Sequence, residues 1–407
     1  MNKKIIFHID VNSAFLSWEA LRLLENGYET DIRTIPSIIG GDREMRHGIV
    51  LAKSTPAKKY GVVTAEPIAQ ALKKCPNLAI FPSHHDYYHK CSNAFMNILR
   101  RYAPIVEQYS IDEAFCDMSG TSSLYGDLVE FAHKLKGIIF EELGFTVNIG
   151  VSTNKLLAKM ASDFEKPYKV HTLFPEEIPA KLWPLPVRDL FFVGKSSYSK
   201  MQNLGIRTIG DLAKMDIDIL RLHFKKQGET FYNFANGIAT DALEINEPQN
   251  KGYSNAITLP YDVTDASAAH QILLSLCEVT CSRIRADKAF VNVVGVQIVD
   301  CEFNKTSKQM SLDRSTNATV EVYDFAIQLF DQLWNKQPIR LLSVNTSKAS
   351  DENYEQFDLF DNGKCEKLRE LDSAIDKIRD KYGDKSIVRA SLVNAEISVK
   401  DKKKGDN

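Results

Sequence analysis

Short apolar runs alternate with longer stretches of helical period along the first half of the chain. Residues 5–10, Ile-Ile-Phe-His-Ile-Asp, predict a buried strand that ends on a carboxylate. A helix is predicted over 14–26, with Gly27 as its stop. Residues 31–74 mix short β-rich runs, such as 48–52, with proline and glycine breaks. Tyr88, Phe95, Ile98, Leu99 and Tyr102 recur at helical spacing and predict a helix over 84–102. From Val106 to Met118 the chain is apolar and β-prone on both sides of Asp112-Glu113, a pattern for two strands joined by a tight turn at that pair. A helix near 124–143, a strand over 145–150 and a helix near 153–164 follow.

Helices continue through 176–237, with breaks predicted at Pro179, Pro184, Pro186, Gly194 and Gly205. Residues 238–255 read as an exposed linker. Beyond it the pattern predicts a strand near 254–259, a helix near 265–286, strands near 290–301 and 309–315, a helix near 321–335 and a strand near 339–345. That is a second, smaller α+β domain. Residues 351–407 are polar, with one helical stretch at Glu366–Tyr382.

A chain of 407 residues is too long for a single core and implies roughly two to four domains. No apolar run approaches the roughly 20 residues of a membrane helix, so no membrane association is expected. The basic start, Met1-Asn2-Lys3-Lys4, leads into no secretory signal, and a cytoplasmic location is expected. The seven cysteines are odd in number and scattered, so they read as reduced packing residues rather than disulfides or zinc ligands. A net charge of −2, with no markedly basic segment, means that any nucleic-acid binding must come from local patches. His85 and His89 are spaced for one helical face but lack a third ligand, so with His84 they are expected on a helix surface.

The candidate chemistry is acidic. Asp10 closes one predicted strand, and Asp112 and Glu113 lie on a turn about a hundred residues later. Neighbouring acids within a strand face opposite ways, but on a turn they can converge. If the strands are neighbours, three carboxylates meet, and hard divalent cations such as Mg²⁺ would relieve their repulsion. Two such ions can activate a hydroxyl and stabilise a leaving pyrophosphate. Spacing alone fits ordinary strand-end and turn acids equally well.

Three stretches go further: 8–19 (HIDVNSAFLSWE), 109–119 (YSIDEAFCDMS) and 150–167 (GVSTNKLLAKMASDFEKP). The first two resemble the palm motifs of Y-family translesion DNA polymerases of bacterial type, the third matches in register, and the similarity runs in order over residues 5 to about 350. The resemblance implies a multidomain α/β (α+β) right-hand polymerase with a ferredoxin-like palm. By position the palm would be 1–21 and 85–170, small fingers 22–84, and a helix-hairpin-helix thumb 171–240. A linker at 241–252, an α+β little finger at 253–350 and a tail at 351–407 would follow. It implies that Asp10 and Asp112 bridge two Mg²⁺ ions, that Glu113 holds the ion activating a primer 3′-hydroxyl, and that Val11 lends a backbone carbonyl. Asp117 is expected to be structural.

Phe15 falls at the family's steric-gate position, under the sugar of a deoxyribonucleoside triphosphate (dNTP). Lys58 and Lys166 match lysines that contact its phosphates. Many members carry tyrosine where this chain has Thr55, whose hydroxyl reaches less far. Lys155 and Lys159 are expected as surface lysines. Gly194 and Gly205 mark hairpins that would offer backbone N–H groups to the phosphates of primer–template DNA. In the little finger, Arg283, Arg285, Lys288, Lys305, Lys308 and Arg314 are either DNA contacts or solvated charges. Gln356, Leu359 and Phe360, in Gln-Phe-Asp-Leu-Phe, resemble the peptide that docks bacterial polymerases on the sliding clamp. A monomer is expected. The competing readings are a palm-type nucleotide cyclase and a non-catalytic DNA-binding accessory.

Overall fold

The protein is described by a computed structural model over residues 4–41, 48–239, 242–243, 249–351 and 364–393. The clamp-like residues Gln356, Leu359 and Phe360 lie outside the described residues. The chain folds as two compact units that divide between Glu247 and Pro248.

The first unit opens with β1 (Ile6–Val11) and α1 (Ala14–Glu25), then β2 (Ser37–Gly40), β3 (Val50–Lys53), α2 (Thr55–Lys59), α3 (Ile68–Lys74) and β4 (Ala79–Phe81). It continues through α4 (His85–Tyr102), β5 (Ile105–Gln108), β6 (Glu113–Asp117), α5 (Ser122–Tyr125), α6 (Leu128–Leu143), β7 (Val147–Ser152), α7 (Lys155–Ser162) and β8 (Val170–Thr172). Its last helices are α8 (Lys195–Asn203), α9 (Ile209–Lys214), α10 (Ile217–Phe224) and α11 (Lys226–Ala235).

The main sheet has the order β5-β6-β1-β7-β8, with β1 antiparallel to both neighbours. A central strand is covered on both faces, which explains the unbroken apolar run at its start. Phe7, Ile9 and Val11 face a core built with α4 and α6. Ile6 faces the other way, onto Phe115 and Ala158 of α7. The side chains of His8 and Asp10 share the α7 face by alternation. Gly150 of β7 makes this face tight, since a Cβ there would stand 1.9 Å from the Ala158 carbonyl oxygen and 2.5 Å from the Ser162 nitrogen. Its glycine is what lets α7 lie so close to the sheet.

The helix predicted near 124–143 is two helices. Gly126 takes φ 75°, and Asp127 then caps α6 by accepting from the Val129 and Glu130 N–H groups at 2.9 Å each. The acidic turn is also shifted, because Glu113 already opens β6 and the turn ends on Asp112. Pro179 is no break: it sits at the start of a helical turn, Ile178–Leu182, where proline is tolerated. A small sheet, β3-β2-β4, stands over its own core of Ile38, Val50, Ile68 and Leu78. Helices α8 to α11 enclose a third core around Met201, Ile209, Leu220 and Phe231. Thr208 and Asp211 form a capping box at α9.

Glu19 joins α1 to α4 from a fully buried position. It accepts from Arg22 Nε at 2.9 Å, Tyr88 Oη at 2.9 Å and His84 Nδ1 at 3.0 Å. His84 is therefore a tie between helices rather than a free surface residue, whereas His85 and His89 are exposed. Burial pushes the Glu19 carboxyl up, but Arg22, Tyr88 and His84 outweigh it and hold the pKa below the usual carboxylate value. Its stabilisation is full above that usual value and fades as pH falls through the lowered one. Glu19→Gln will cost about 2 kcal/mol at neutral pH. The gap from the parent will close in acid in denaturant melts at stepped pH; a gap independent of pH would refute the charged role.

The second unit contains β9 (Ser254–Val263), α12 (Ala266–Ala286), β10 (Val291–Asp300), β11 (Lys305–Thr316), α13 (Thr319–Leu333), β12 (Ile339–Ser347) and α14 (Lys364–Tyr382). Its sheet, β11-β10-β12-β9, is antiparallel throughout, and α12 and α13 pack their apolar faces on it. β11 begins at Lys305, earlier than the apolar pattern suggested, because backbone pairing to β10 extends through an exposed polar stretch. Arg285 is excluded as a DNA contact. It is 11% exposed and gripped by Asp372 and by both oxygens of Asp376, all on α12 and α14.

Candidate active site

The β1–β6 register sets Asp10 opposite Glu113. The Val11 N–H donates to the Asp112 carbonyl at 3.0 Å, so Asp10 and Glu113 form the non-hydrogen-bonded pair, whose side chains stand closest in an antiparallel ladder. Asp112 is held at the end of the turn, where the Ser110 hydroxyl donates to its Oδ1 at 2.6 Å. Asp10, Asp112 and Glu113 are all partly buried.

Each outer acid has basic partners. Glu113 Oε2 accepts from His8 Nε2 at 3.0 Å and from Lys159 Nζ at 2.5 Å. Lys166 bonds Asp10 and, at 2.8 Å, Asp163. Consequently the expected close triad of carboxylates is realised in the backbone but not in the side chains. Among the described residues no three His, Cys, Asp or Glu side chains form a ready cation-holding group.

The electrostatics follow from these partners. Burial pushes Asp10 above the usual carboxylate value, Lys166 opposes that, and the charge of Asp112 adds to the rise. Burial also acts to raise Glu113, but the bonds from His8 and Lys159 overwhelm it and hold the carboxyl at about 2. Burial lowers His8 and outweighs its pairing with Glu113, leaving a ring that favours neutrality. For Lys166 burial pulls downward, yet Asp10 and Asp163 prevail and the ammonium is held above its usual value. The donor set is therefore all-oxygen, anionic and partly desolvated, with Asp10 in need of a compensating charge. Those are the properties that hard divalent cations take up. The residues fit such ions.

Phe15, near the start of α1, is half-buried and stacks on Tyr88 with ring centroids 5.0 Å apart and planes at 16°. His85 meets it edge-on at 5.6 Å. The ring is thus fixed as a plane. Thr55 and Lys58 sit on a different element, α2, where Ser54 caps the helix by accepting from Ala57 N–H at 3.1 Å. Both are exposed, and among the described residues neither hydrogen-bonds the carboxylates. Lys58 joins burial in pulling down the pKa of neighbouring Lys53. Gly205 has φ +78°, the left-handed region that favours glycine, but Gly194 is the extended N-cap of α8. The positive φ of that first hairpin falls instead on exposed Phe192.

Lys155 and Lys159, expected to be surface lysines, are largely covered. Lys155 donates to both oxygens of Glu107 at 2.7 Å. Lys159 is 12% exposed and also lies over the rings of Tyr109 and Phe191. His8 was not singled out at all, although strand alternation already places it on the face of Asp10. Asp117 accepts from Ser119 N–H at 2.9 Å, a structural task as expected.

Comparison with known proteins gives the family. A model described as the impB/mucB/samB family matches residues 9–163, and one for that family's C-terminal domain matches 250–359. A model for the DNA polymerase-iota thumb domain matches 188–239. A DNA polymerase IV of Clostridium acetobutylicum is 46% identical, over 97% of this chain and 99% of its own. One from Pelotomaculum thermopropionicum is 36% identical over 94% of this chain and 93% of its own. The DNA polymerase IV 2 of Bacillus subtilis is 33% identical over 97% of this chain and 96% of its own. A solved Y-family DNA polymerase chimera shares the fold with a TM-score of 0.71 at 22% identity, covering 84% of this chain and 98% of that one. Similar to these relatives over nearly its whole length, and carrying Asp10 opposite Glu113 on the central strands of its first unit, the chain belongs to the impB/mucB/samB family, the Y-family DNA polymerases of the DNA polymerase IV type.

Proposed function

We propose that the chain is a template-directed DNA polymerase of low fidelity that copies past damaged bases, adding dNTPs to a primer 3′-hydroxyl without proofreading. The observation that carries this reading is the placement of Asp10 opposite Glu113, with Asp112 beside them at the end of the turn. Asp10, Asp112, Glu113 and the Val11 carbonyl would hold two Mg²⁺ ions. When bound, such ions would supply Lewis acidity toward a primer hydroxyl and positive charge toward a leaving pyrophosphate. The chain's own part is to fix the oxygens and to supply cations. Glu113 is pinned by His8 and Lys159, and Lys166 is poised beside Asp10, where it can turn to a triphosphate. Lys58 and Thr55 offer further donors from α2.

Residues 1–21 with 85–170 act as palm, 22–84 as fingers, 171–240 as thumb and 253–350 as little finger, joined by the 241–252 linker. Backbone N–H groups near Gly194 and Gly205 grip DNA phosphates. The 356–360 peptide docks on the bacterial sliding clamp, and the enzyme works as a monomer in the cytoplasm. The relatives favour neither a cyclase nor a non-catalytic accessory.

The test is primer extension on intact and damaged templates, with Glu113→Ala alongside. Extension by the parent that disappears in the variant supports the reading; equal extension by both sinks it. Phe15→Ala will raise ribonucleotide use by roughly 10- to 200-fold, the discrimination expected from a small steric change in a pocket. Competitive incorporation of a ribonucleotide against its deoxy counterpart measures this. An unchanged ratio would mean that Phe15 is no gate.

A further inference from the structure

We propose that His8, oriented by Ser162, is a positioning residue for Glu113: it holds the carboxylate from behind so that the outer oxygen is presented to the metal. The inference rests on the active-site reading above. His8 is 1% exposed, and its two ring nitrogens are both engaged. Nε2 stands 3.0 Å from Glu113 Oε2, and Nδ1 stands 2.8 Å from Ser162 Oγ. A carboxylate only accepts, so the proton facing it belongs to Nε2. In a neutral ring Nδ1 is then an acceptor, which the Ser162 hydroxyl satisfies. That hydroxyl has a single proton and also stands 2.8 Å from the Lys159 carbonyl oxygen, so it donates to the ring or to the helix but not to both at once.

Helix α7 supplies the rest of the frame. It contributes Ser162 to His8 and Lys159 to Glu113, and it stands this close only because Gly150, the β7 partner of His8, carries no side chain. Both donors converge on Oε2, and among the described residues Oε1 accepts no hydrogen bond. Such a carboxylate has one oxygen fixed, which leaves the other for a further ligand. Outer partners of this kind tune the ligands they hold, and their loss costs about 10- to 100-fold in metal affinity or rate.

Two readouts test this in the full-length protein. The first is single-turnover dNTP incorporation, resolved into the maximal rate and the dNTP dissociation constant. The second is Mn²⁺ binding, by electron paramagnetic resonance, to a non-reacting complex with dideoxy-terminated primer–template and dNTP. His8→Phe keeps a ring but no donor. It will lower the maximal rate and the Mn²⁺ affinity by about 10- to 100-fold, with little change in dNTP dissociation. His8→Gln returns an N–H near Nε2 and will recover most of both. Ser162→Ala leaves the ring free to turn and will lower both in the same direction, and it decides the matter if His8→Phe does not fold. Parent-like values in Ser162→Ala and a folded His8→Phe overturn the proposal, as does a glutamine variant no better than phenylalanine. Glu113→Ala, run in parallel, separates the two ideas: if it retains the full rate, the active-site reading has failed; if it is inactive while the His8 variants are normal, only the positioning role has.

Discussion

Asp10→Asn will lower single-turnover nucleotide incorporation by ~10³-fold or more while leaving primer–template affinity nearly unchanged. The substitution keeps the shape and one neutral oxygen but removes the charge. Metal-borne charge stabilisation in such a transition state is worth several kcal/mol, and each 1.4 kcal/mol is about tenfold in rate. Asp10 is exposed to that loss because it is partly desolvated and already relies on Lys166 for its charge. Asp112→Asn will cost a similar factor. Combining the two will add little, since groups that act as one unit are not additive. Asp117→Asn is the control: its oxygen accepts a single backbone N–H at the end of β6, so activity should stay within about threefold, as for removal of one modest hydrogen bond. Rapid-quench kinetics with electrophoretic DNA binding checks all four. An Asp10→Asn enzyme within tenfold of the parent would remove Asp10 from the catalytic centre.

The elements that could be read from the sequence were those whose local pattern is forced by burial. β1 is apolar at its start because both faces are covered, and α1 ends where predicted because Gly27 takes φ 83°. The α4 period is clean because one face meets the core and the other meets water. Local pattern misled where a single backbone conformation decided the outcome, as at Gly126, which splits a continuous helical period into α5 and α6. It was also silent where ladder pairing, rather than side-chain burial, extends a strand, as at Lys305 to Lys308.

The candidate site shows the same division. Strand alternation and a turn could bring Asp10 to Glu113, and they did so through the ladder. Of the partners of those acids, His8 lies on β1 itself, Lys159 comes from helix α7, 46 residues beyond Glu113, and Lys166 from just past the end of that helix. A lysine on a short helix carries no local mark of whether it faces water or a buried carboxylate. The clearance at Gly150 settles it, and that clearance exists only once sheet and helix have met.

Asp372→Ala will destabilise the second unit by about 3 kcal/mol, an effect large for a residue so far along a polar tail. The helix that the tail pattern predicts has a structural task. Asp372 is 3% exposed and accepts from Thr319 N–H at 2.7 Å, Arg389 at 2.9 Å and Arg285 at 3.2 Å. Thr319 is the first residue of α13, and Ala318 before it has no side chain to cap the helix. Asp372 therefore caps α13 from another helix, a bond worth about 1 kcal/mol in itself. The remainder comes from leaving two partly buried guanidinium groups short of charge. Breaking a buried pair outright costs about 3–5 kcal/mol. The lower end applies here because Arg285 keeps Asp376, and Arg389 keeps Glu278 at 2.7 Å. Asp372→Asn, which retains a cap acceptor without charge, will fall between. Native-state hydrogen exchange on the full chain reads this directly. Amides across 319–325 should exchange about a hundredfold faster or more, as 3 kcal/mol implies, while those of β1 stay as in the parent. Unchanged exchange at the start of α13 would show that α14 rests on the unit without holding it together.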